Sequence, residues 1–184
     1  PAVPVHRRTW LPLLAGLAVQ QAVARLGAVE TRLKWPNDVL LGPDRGKVGG
    51  VLVQAQDDAV VVGIGLNAST RRGELPAGGT SLLVEGAECT DRDPLLRAVL
   101  RALGSRYTDW CAAGGAPDKS GLRGAYEAAC DTLGRQVRIL LPDGGELTGR
   151  ASGLDDAGRL LVRTAAGERA VSAGDVKHVR PGTA

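Results

Sequence analysis

Apolar residues recur at helical spacing in several segments of the chain. They fall at positions 10, 11, 14, 15, 18, 19, 22, 23 and 26, which predicts a helix over Trp10–Leu26. A second helix is predicted over Pro94–Trp110, with Asp93 as its N-cap. A third is predicted over Gly121–Thr132, where a Leu-Gly pair follows and ends the pattern.

Short apolar runs predict strands elsewhere. Thr31–Trp35 is typical of a short strand, and Val48–Gln56 with Ala59–Leu66 is typical of an antiparallel hairpin that turns at Asp57-Asp58. After Arg135, alternating runs lie at 136–141, 146–152, 159–164, 168–173 and 175–180. They predict a small β-barrel. We therefore expect an α+β domain over residues 1–133, with a mixed or antiparallel central sheet and flanking helices, and a barrel over residues 134–184.

Composition narrows the function classes. The 184 residues are 43% hydrophobic, and the net charge of +3 is mild, with no clustering of basic and aromatic residues that would predict a nucleic-acid surface. Three cysteines and two histidines at wide spacings indicate neither a metal site nor a disulfide framework. Every apolar run is shorter than the roughly 20 residues of a membrane span, so we expect a cytoplasmic protein. Because the chain starts at Pro1 and lacks Met, we expect it to be part of a longer polypeptide.

The segments best suited to chemistry are Lys34–Asp38, with the sequence KWPND, and Gly46–Leu52, with the sequence GKVGGVL. They place Lys47 on a glycine-lined backbone just after a rigid polar turn. Glycines in a strand let a ligand approach the main chain, and a lysine there can stabilise a carboxylate or phosphate. The alternative for Lys47 is a solvated lysine at a strand edge.

Other residues permit two interpretations. Trp35 is equally a core anchor or a ligand contact, and Asp38 could serve only to cap the turn. Asn67 could bind a ribose, a phosphate or metal-bound water, or it could bond only local backbone. The pattern Gly63-x-Gly65-x-x-Ala68 imitates a dinucleotide fingerprint, but no helix is predicted to start there, so that interpretation is rejected.

Taken in order and spacing, four segments resemble bacterial biotin protein ligases. The first two are KWPND and GKVGGVL; the others are Gly63–Asn67 and Thr80–Leu83. The residues from Tyr126 to Gly134 and the strand-rich tail resemble that family's junction and its SH3-like C-terminal domain. The resemblance implies a class II synthetase-like catalytic domain that converts biotin and ATP, with Mg²⁺, to biotinyl-5′-adenylate. The biotin is then transferred to a lysine of a biotin carboxyl carrier protein.

The resemblance also implies residue roles. Lys47 matches the family's catalytic lysine, which contacts the biotin carboxylate and the adjoining phosphate. Asn37, Asp38 and Asn67 match the nucleotide and metal side, although no firm metal ligand is implied. The remaining matched residues are expected to line or support the biotin site: Trp35, Gly50, Leu52, Gly63 and Ile64.

One family feature has no counterpart in this sequence. A Gly-Arg-Gly-Arg loop that closes over the adenylate precedes the family's first matching helix, so we expect that part of the catalytic domain to lie upstream of residue 1. A non-catalytic fragment that binds a carrier or another partner is therefore an alternative. A lipoate-type ligase is a second alternative, which the Lys47 segment disfavours, and a second copy of the chain is a further candidate partner.

Overall fold

The computed structural model describes residues 2–57 and 59–179. A 3-10 helix, Val5–Trp10, leads directly into the first of three α-helices: α1 Leu11–Gly27, α2 Arg92–Ala112 and α3 Leu122–Ala129. A second 3-10 helix spans Arg72–Glu74. The strands are β1 Thr31–Lys34, β2 Asp38–Leu41, β3 Gly46–Gln56, β4 Ala59–Leu66, β5 Gln136–Leu140, β6 Glu146–Leu154, β7 Leu160–Thr164, β8 Gly167–Val171 and β9 Asp175–His178.

The first four strands form one antiparallel sheet in the order β1-β2-β3-β4. Helix α1 packs across all four strands, and α2 packs on α1. The buried side of the sheet and α1 share one core, which includes Leu14, Leu33, Val39 and Val48. The opposite side of the sheet, which we call the outer face, leaves Leu52 72% exposed. The predicted α+β class and the predicted β3–β4 hairpin are both confirmed.

The last five strands form a second antiparallel sheet in the order β8-β7-β6-β5-β9. We call it the barrel. Its alternating residues, among them Val137, Ile139 and Val162, are buried, as the period-2 pattern predicts. The predicted turn residue Asp58, and Arg180 at the end of the fifth predicted run, lie outside the described residues. The division at residues 133/134 stays a prediction.

Two predicted helix ends were wrong. Helix α3 ends at Ala129 because Cys130 leaves the helix and forms a parallel bridge with Leu33 of β1. The N-cap of α2 is Asp91, whose carboxylate accepts a 3.0 Å hydrogen bond from the backbone N–H of Asp93. Both Asp residues suit a cap chemically, so composition alone did not choose between them.

Candidate active site

A row of residues crosses the outer face from strand to strand. Lys34 of β1 pairs with Asp38 of β2, Asp38 pairs with Gly50 of β3, and Gly50 pairs with Gly65 of β4. Directly paired residues of an antiparallel sheet share a face. One half of this row, Lys34 and Asp38, therefore carries charged side chains, whereas the glycines of the other half carry no side chain. The neighbouring pair, Leu52 and Gly63, extends the uncharged half.

Lys47 joins this face through an irregularity in β3. Leu40 pairs with Lys47 and Val39 pairs with Gly49, so Val48 is an extra residue opposite the β2 strand. Such a bulge resets the alternation of side chains. The ammonium Nζ of Lys47 lies 2.5 Å from Asp38 Oδ1, and the Lys47 side chain is 53% exposed. A Cβ built on Gly50 would lie only 3.6 Å from the same Nζ.

The glycines of β3 and β4 are of two kinds. A Cβ on Gly49 would lie 2.3 Å from the carbonyl oxygen of Gly65, so the strand pairing itself requires glycine there. A Cβ on Gly50, Gly63 or Gly65 would meet its nearest atom at 3.5, 3.6 or 4.0 Å, which is ordinary contact. The fold therefore has room for side chains at these three positions. Their absence leaves a bare floor beside the Lys47 ammonium, which suits an apolar ligand with an anionic end.

Two asparagines flank this floor. Asn37 donates from Nδ2 to the Val51 carbonyl (3.0 Å) and accepts at its own carbonyl from the Val51 N–H (2.9 Å). Asn67 donates from Nδ2 to the Thr80 carbonyl at 3.1 Å, and its N–H donates to the Val48 carbonyl. The side-chain oxygens of both asparagines take no part in these bonds. Each side chain is thus held by its nitrogen with its oxygen left for another partner.

Two predicted site residues occupy other places. Trp35 is 2% exposed and its indole N–H donates to the Gly158 carbonyl at 3.0 Å, so its ring packs in the core, as the core-anchor interpretation expects. Ile64 pairs with Val51, which is buried, and its side chain packs against the core. Ile64 therefore contributes no side chain to the floor formed by Gly50, Leu52 and Gly63.

A charged cleft of about 760 Å³ continues from Lys34, Asp38 and Lys47 toward the barrel. Its barrel side includes Arg135, Lys177 and His178. No local pattern in the sequence reveals this cleft, because its walls come from positions far apart in the chain. The cleft extends positive charge from Lys47 toward β9.

Asp131 and His178 form the back of this cleft. The Asp131 carboxylate lies 2.7 Å from Arg135 and 3.5 Å from Arg45, and its Oδ2 is 3.7 Å from His178 Nδ1. Burial lowers the pKa of His178 from its ordinary value of 6.5, although nearby Asp131 opposes that shift. The neutral imidazole is therefore favoured near pH 7.

Neither a metal cluster nor a membrane span occurs in the described ranges. Within residues 2–57 and 59–179, no three or more His, Cys, Asp or Glu side chains are grouped to hold a metal ion. Over the same residues, no helix has the length and apolarity needed to cross a membrane.

Comparison with known proteins identifies the family. Over 181 residues the chain is 41% identical to the biotin–[acetyl-CoA-carboxylase] ligase of Mycobacterium tuberculosis, covering 97% of this chain and 65% of that protein. It is 32% identical to the Paracoccus denitrificans enzyme of the same name, covering 90% of this chain and 71% of that protein. The chain belongs to the biotin protein ligase family.

The solved ligases share the fold as well as the sequence. The Aquifex aeolicus biotin protein ligase, in complex with biotin and ATP, matches with a TM-score of 0.76 and 30% identity, covering 92% of this chain and 71% of that one. Residues 132–179 match the family model described as the biotin protein ligase C-terminal domain, which confirms the predicted SH3-like tail. The chain spans less than two thirds of the length of the Mycobacterium ligase.

Proposed function

We propose that this chain carries the biotin-activating site of a cytoplasmic biotin protein ligase. Biotin would be adenylated by ATP and then transferred to a lysine of a biotin carboxyl carrier protein. The observation that carries this proposal is the bare floor of Gly50, Gly63 and Gly65 beside the Lys47 ammonium. Biotin combines a flat ring system, apolar at its thioether ring and alkyl chain, with a terminal carboxylate, and these apolar parts and the carboxylate match the floor and the ammonium respectively.

The Lys47 ammonium would stabilise negative charge in both half-reactions. In the first, a biotin carboxylate oxygen attacks the α-phosphorus of ATP, a phosphorus–oxygen bond forms, and pyrophosphate leaves. Two anionic groups must approach each other, so an ammonium between them lowers the barrier. In the second, the amine of the acceptor lysine attacks the biotinyl carbonyl carbon, an amide forms, and AMP leaves as the amine loses a proton. The same ammonium would polarise that mixed anhydride.

Asp38 would hold the Lys47 ammonium in place. It contacts Lys47 at 2.5 Å and Lys34 at 3.5 Å, and its side chain is largely buried. An ammonium that is oriented before the ligand arrives loses less freedom on binding. No covalent intermediate on the protein is needed, since the adenylate itself is the activated species.

The nucleotide would lie toward the charged cleft. Arg135 and Lys177 extend the positive charge from Lys47, which favours the ATP phosphates on that side. Mg²⁺ usually binds through phosphates and one or two protein oxygens rather than a dedicated cage. The oxygens of Asn37 and Asn67 fit that role, and the ion would offset phosphate charge when bound.

The proposal is tested by titrating the protein, in its full encoded length, with biotin in a calorimeter, with and without Mg-ATP. Lipoate is the matched control ligand, since it is also a carboxylate with a compact ring. We expect biotin to bind and lipoate to bind far more weakly. Equal binding of both acids, or of neither by a folded protein, would contradict the assignment.

Lys47→Ala separates catalysis from folding. Lys47 is half exposed, so loss of its ion pair should change the free energy of unfolding by no more than about 1 kcal/mol. Pyrophosphate release in the presence of biotin should fall roughly 10²- to 10³-fold, as for loss of one preorganised electrostatic group. Lys119→Ala, in the segment after α2, is a control for removal of a lysine. An unchanged rate in Lys47→Ala would remove Lys47 from the mechanism.

A further inference from the structure

Trp35, at the start of the polar turn, is held at two points. Its backbone N–H donates to the Thr132 hydroxyl oxygen at 3.1 Å, and its indole N–H donates to the Gly158 carbonyl at 3.0 Å. Trp35 is 2% exposed and Thr132 is fully buried. Neither partner belongs to the sheet that carries Lys47: Thr132 lies in the linker after α3, and Gly158 lies in the β6–β7 turn of the barrel.

The linker is fixed from both sides. The backbone N–H of Asp131 donates to the Leu33 carbonyl at 2.7 Å, which attaches the linker to the edge of β1. On the barrel side, Thr132 Oγ1 lies 3.2 Å from His178 Nε2 of β9. When the imidazole is neutral with its proton on Nδ1, facing Asp131, the Thr132 hydroxyl can donate to Nε2 while accepting from Trp35.

The β6–β7 turn packs closely against the N-terminal 3-10 helix and α1. The Asp156 carbonyl accepts from the Trp10 indole at 2.8 Å and from Arg7 Nη1 at 3.0 Å. Gly158 has a φ of +73°, and a Cβ there would lie 2.9 Å from Leu13 Cδ1 and 3.4 Å from the Trp10 ring. The carbonyl that holds Trp35 is therefore at a fixed distance from α1.

We infer that Thr132 and Gly158 are positioning residues for the adenylation site, acting through Trp35 on the adjoining turn. This inference rests on the proposed function. Two residues beyond Trp35, Asn37 is bonded twice to Val51, and Asp38 contacts the Lys47 ammonium. Thr132 and Gly158 thus set the place of the lysine and of the nucleotide-side asparagine without touching either ligand.

The first test compares Thr132→Val with Thr132→Ser in the full-length protein. Valine keeps the shape and removes the acceptor for the Trp35 N–H, whereas serine keeps the hydroxyl. We expect Thr132→Val to lower the rate constant of adenylate formation roughly ten- to a hundredfold, because ångström-scale misplacement of catalytic groups has effects of this size. Amide hydrogen exchange over residues 35–38 should accelerate. Thr132→Ser should be close to wild type in both, and Thr148→Val, at an exposed barrel position, should change neither.

A merely structural role for Thr132 would give another pattern. The rate would then fall only in proportion to the folded fraction measured by denaturant titration, and this result would overturn the inference, as would faster exchange at 35–38 with an unchanged rate. The wild type is the separating control. If it forms no adenylate, the proposed function fails, whereas an active wild type with an equally active Thr132→Val overturns only the positioning role.

A second pair of variants tests the barrel contact. Gly158→Ala and Gly144→Ala place the same methyl group at positive φ in two barrel turns, +73° and +84°, but Gly144 has nothing within 4 Å of the added atom. The backbone strain is therefore matched and only the contact with Leu13 and Trp10 differs. We expect Gly158→Ala alone to slow adenylate formation and accelerate exchange at 35–38. Equal effects of the two variants would refute a role for the contact between the β6–β7 turn and the side chains of Leu13 and Trp10.

Discussion

Alanine substitutions at Gly49 and Gly63 make the same chemical change in opposite surroundings. At Gly49 the added methyl would lie 2.3 Å from the Gly65 carbonyl oxygen and 3.4 Å from Leu66 Cα, and both atoms are backbone. At Gly63 the nearest atom would be the Leu52 carbonyl oxygen at 3.6 Å. We therefore expect Gly49→Ala to damage the fold and Gly63→Ala to damage only ligand binding.

The magnitudes follow from these distances. Relieving the contact at Gly49 requires β3 and β4 to separate by about 1 Å at a paired position, and overpacking of this kind costs roughly 1–3 kcal/mol. In a chain of this size each kcal/mol lowers Tm by about 2–4 °C, so a fall of roughly 2–12 °C is expected. Gly63→Ala should instead raise stability by about 0.5–1 kcal/mol, since glycine is unfavourable within a strand.

Two experiments measure these effects separately. Thermal unfolding, monitored by circular dichroism, measures the change in Tm, and calorimetric titration with biotin measures the change in affinity. The Gly63 methyl projects onto the outer face beside Leu52, so we expect biotin affinity to fall at least about tenfold, which corresponds to roughly 1.4 kcal/mol. Unchanged biotin affinity in Gly63→Ala would show that the floor is not the ligand surface. Unchanged Tm in Gly49→Ala would show that the strands accommodate the methyl and that the distance argument fails.

Two further predictions concern Asn67 and His178. Asn67→Ala should raise the ATP concentration needed for pyrophosphate release about tenfold or more, the effect of losing a hydrogen bond to a charged group; normal ATP dependence would leave Asn67 as a loop residue only. The pKa of His178 is below 6.5 in the folded chain, so the unfolded chain binds more protons as the pH falls below about 6.5. The contribution of His178 to the free energy of unfolding should therefore be fully present above about pH 6.5 and should be lost as the pH falls below it. In urea titrations between pH 7 and 5, His178→Gln should lack this part of the dependence of the free energy of unfolding on pH. Glu30 and Asp156, whose pKa values lie below 4.5 and 3.8, titrate outside that window. An identical pH dependence in the variant and the wild type would contradict the assignment.

The parts of the fold that the sequence predicted are local. Helix α1 and the β3–β4 hairpin are encoded by periodicities within single segments, and the structure places them within a residue or two of the predicted bounds. The choice between a Rossmann pattern and a strand end at Gly63–Gly65 was also local, because it depended only on whether a helix follows. β4 ends at Leu66, no α-helix begins within the described residues 67–91, and the next α-helix, α2, begins at Arg92.

The parts that were missed depend on distant residues. The end of α3 at Ala129 is decided by pairing between Cys130 and Leu33, which no window around residue 130 contains. Trp35 had two equal interpretations because a tryptophan beside a polar turn can face either side. The acceptor that settles its place, the Gly158 carbonyl, lies 123 positions away in the chain.

The position of Lys47 shows how a site can be recognised correctly in sequence while its geometry is not. In a regular strand, Lys47 and Gly50 are an odd number of residues apart and would face opposite sides of the sheet. Val48 and Gly49 are instead both buried, and the bulge at Val48 returns Lys47 to the face of Asp38 and Gly50. A regular strand would place Lys47 on the side that α1 packs against, where an unpaired ammonium is costly. The bulge therefore keeps the Lys47 ammonium out of the core and places it on the outer face. The GKVGGVL segment depends on this register shift as much as on the lysine.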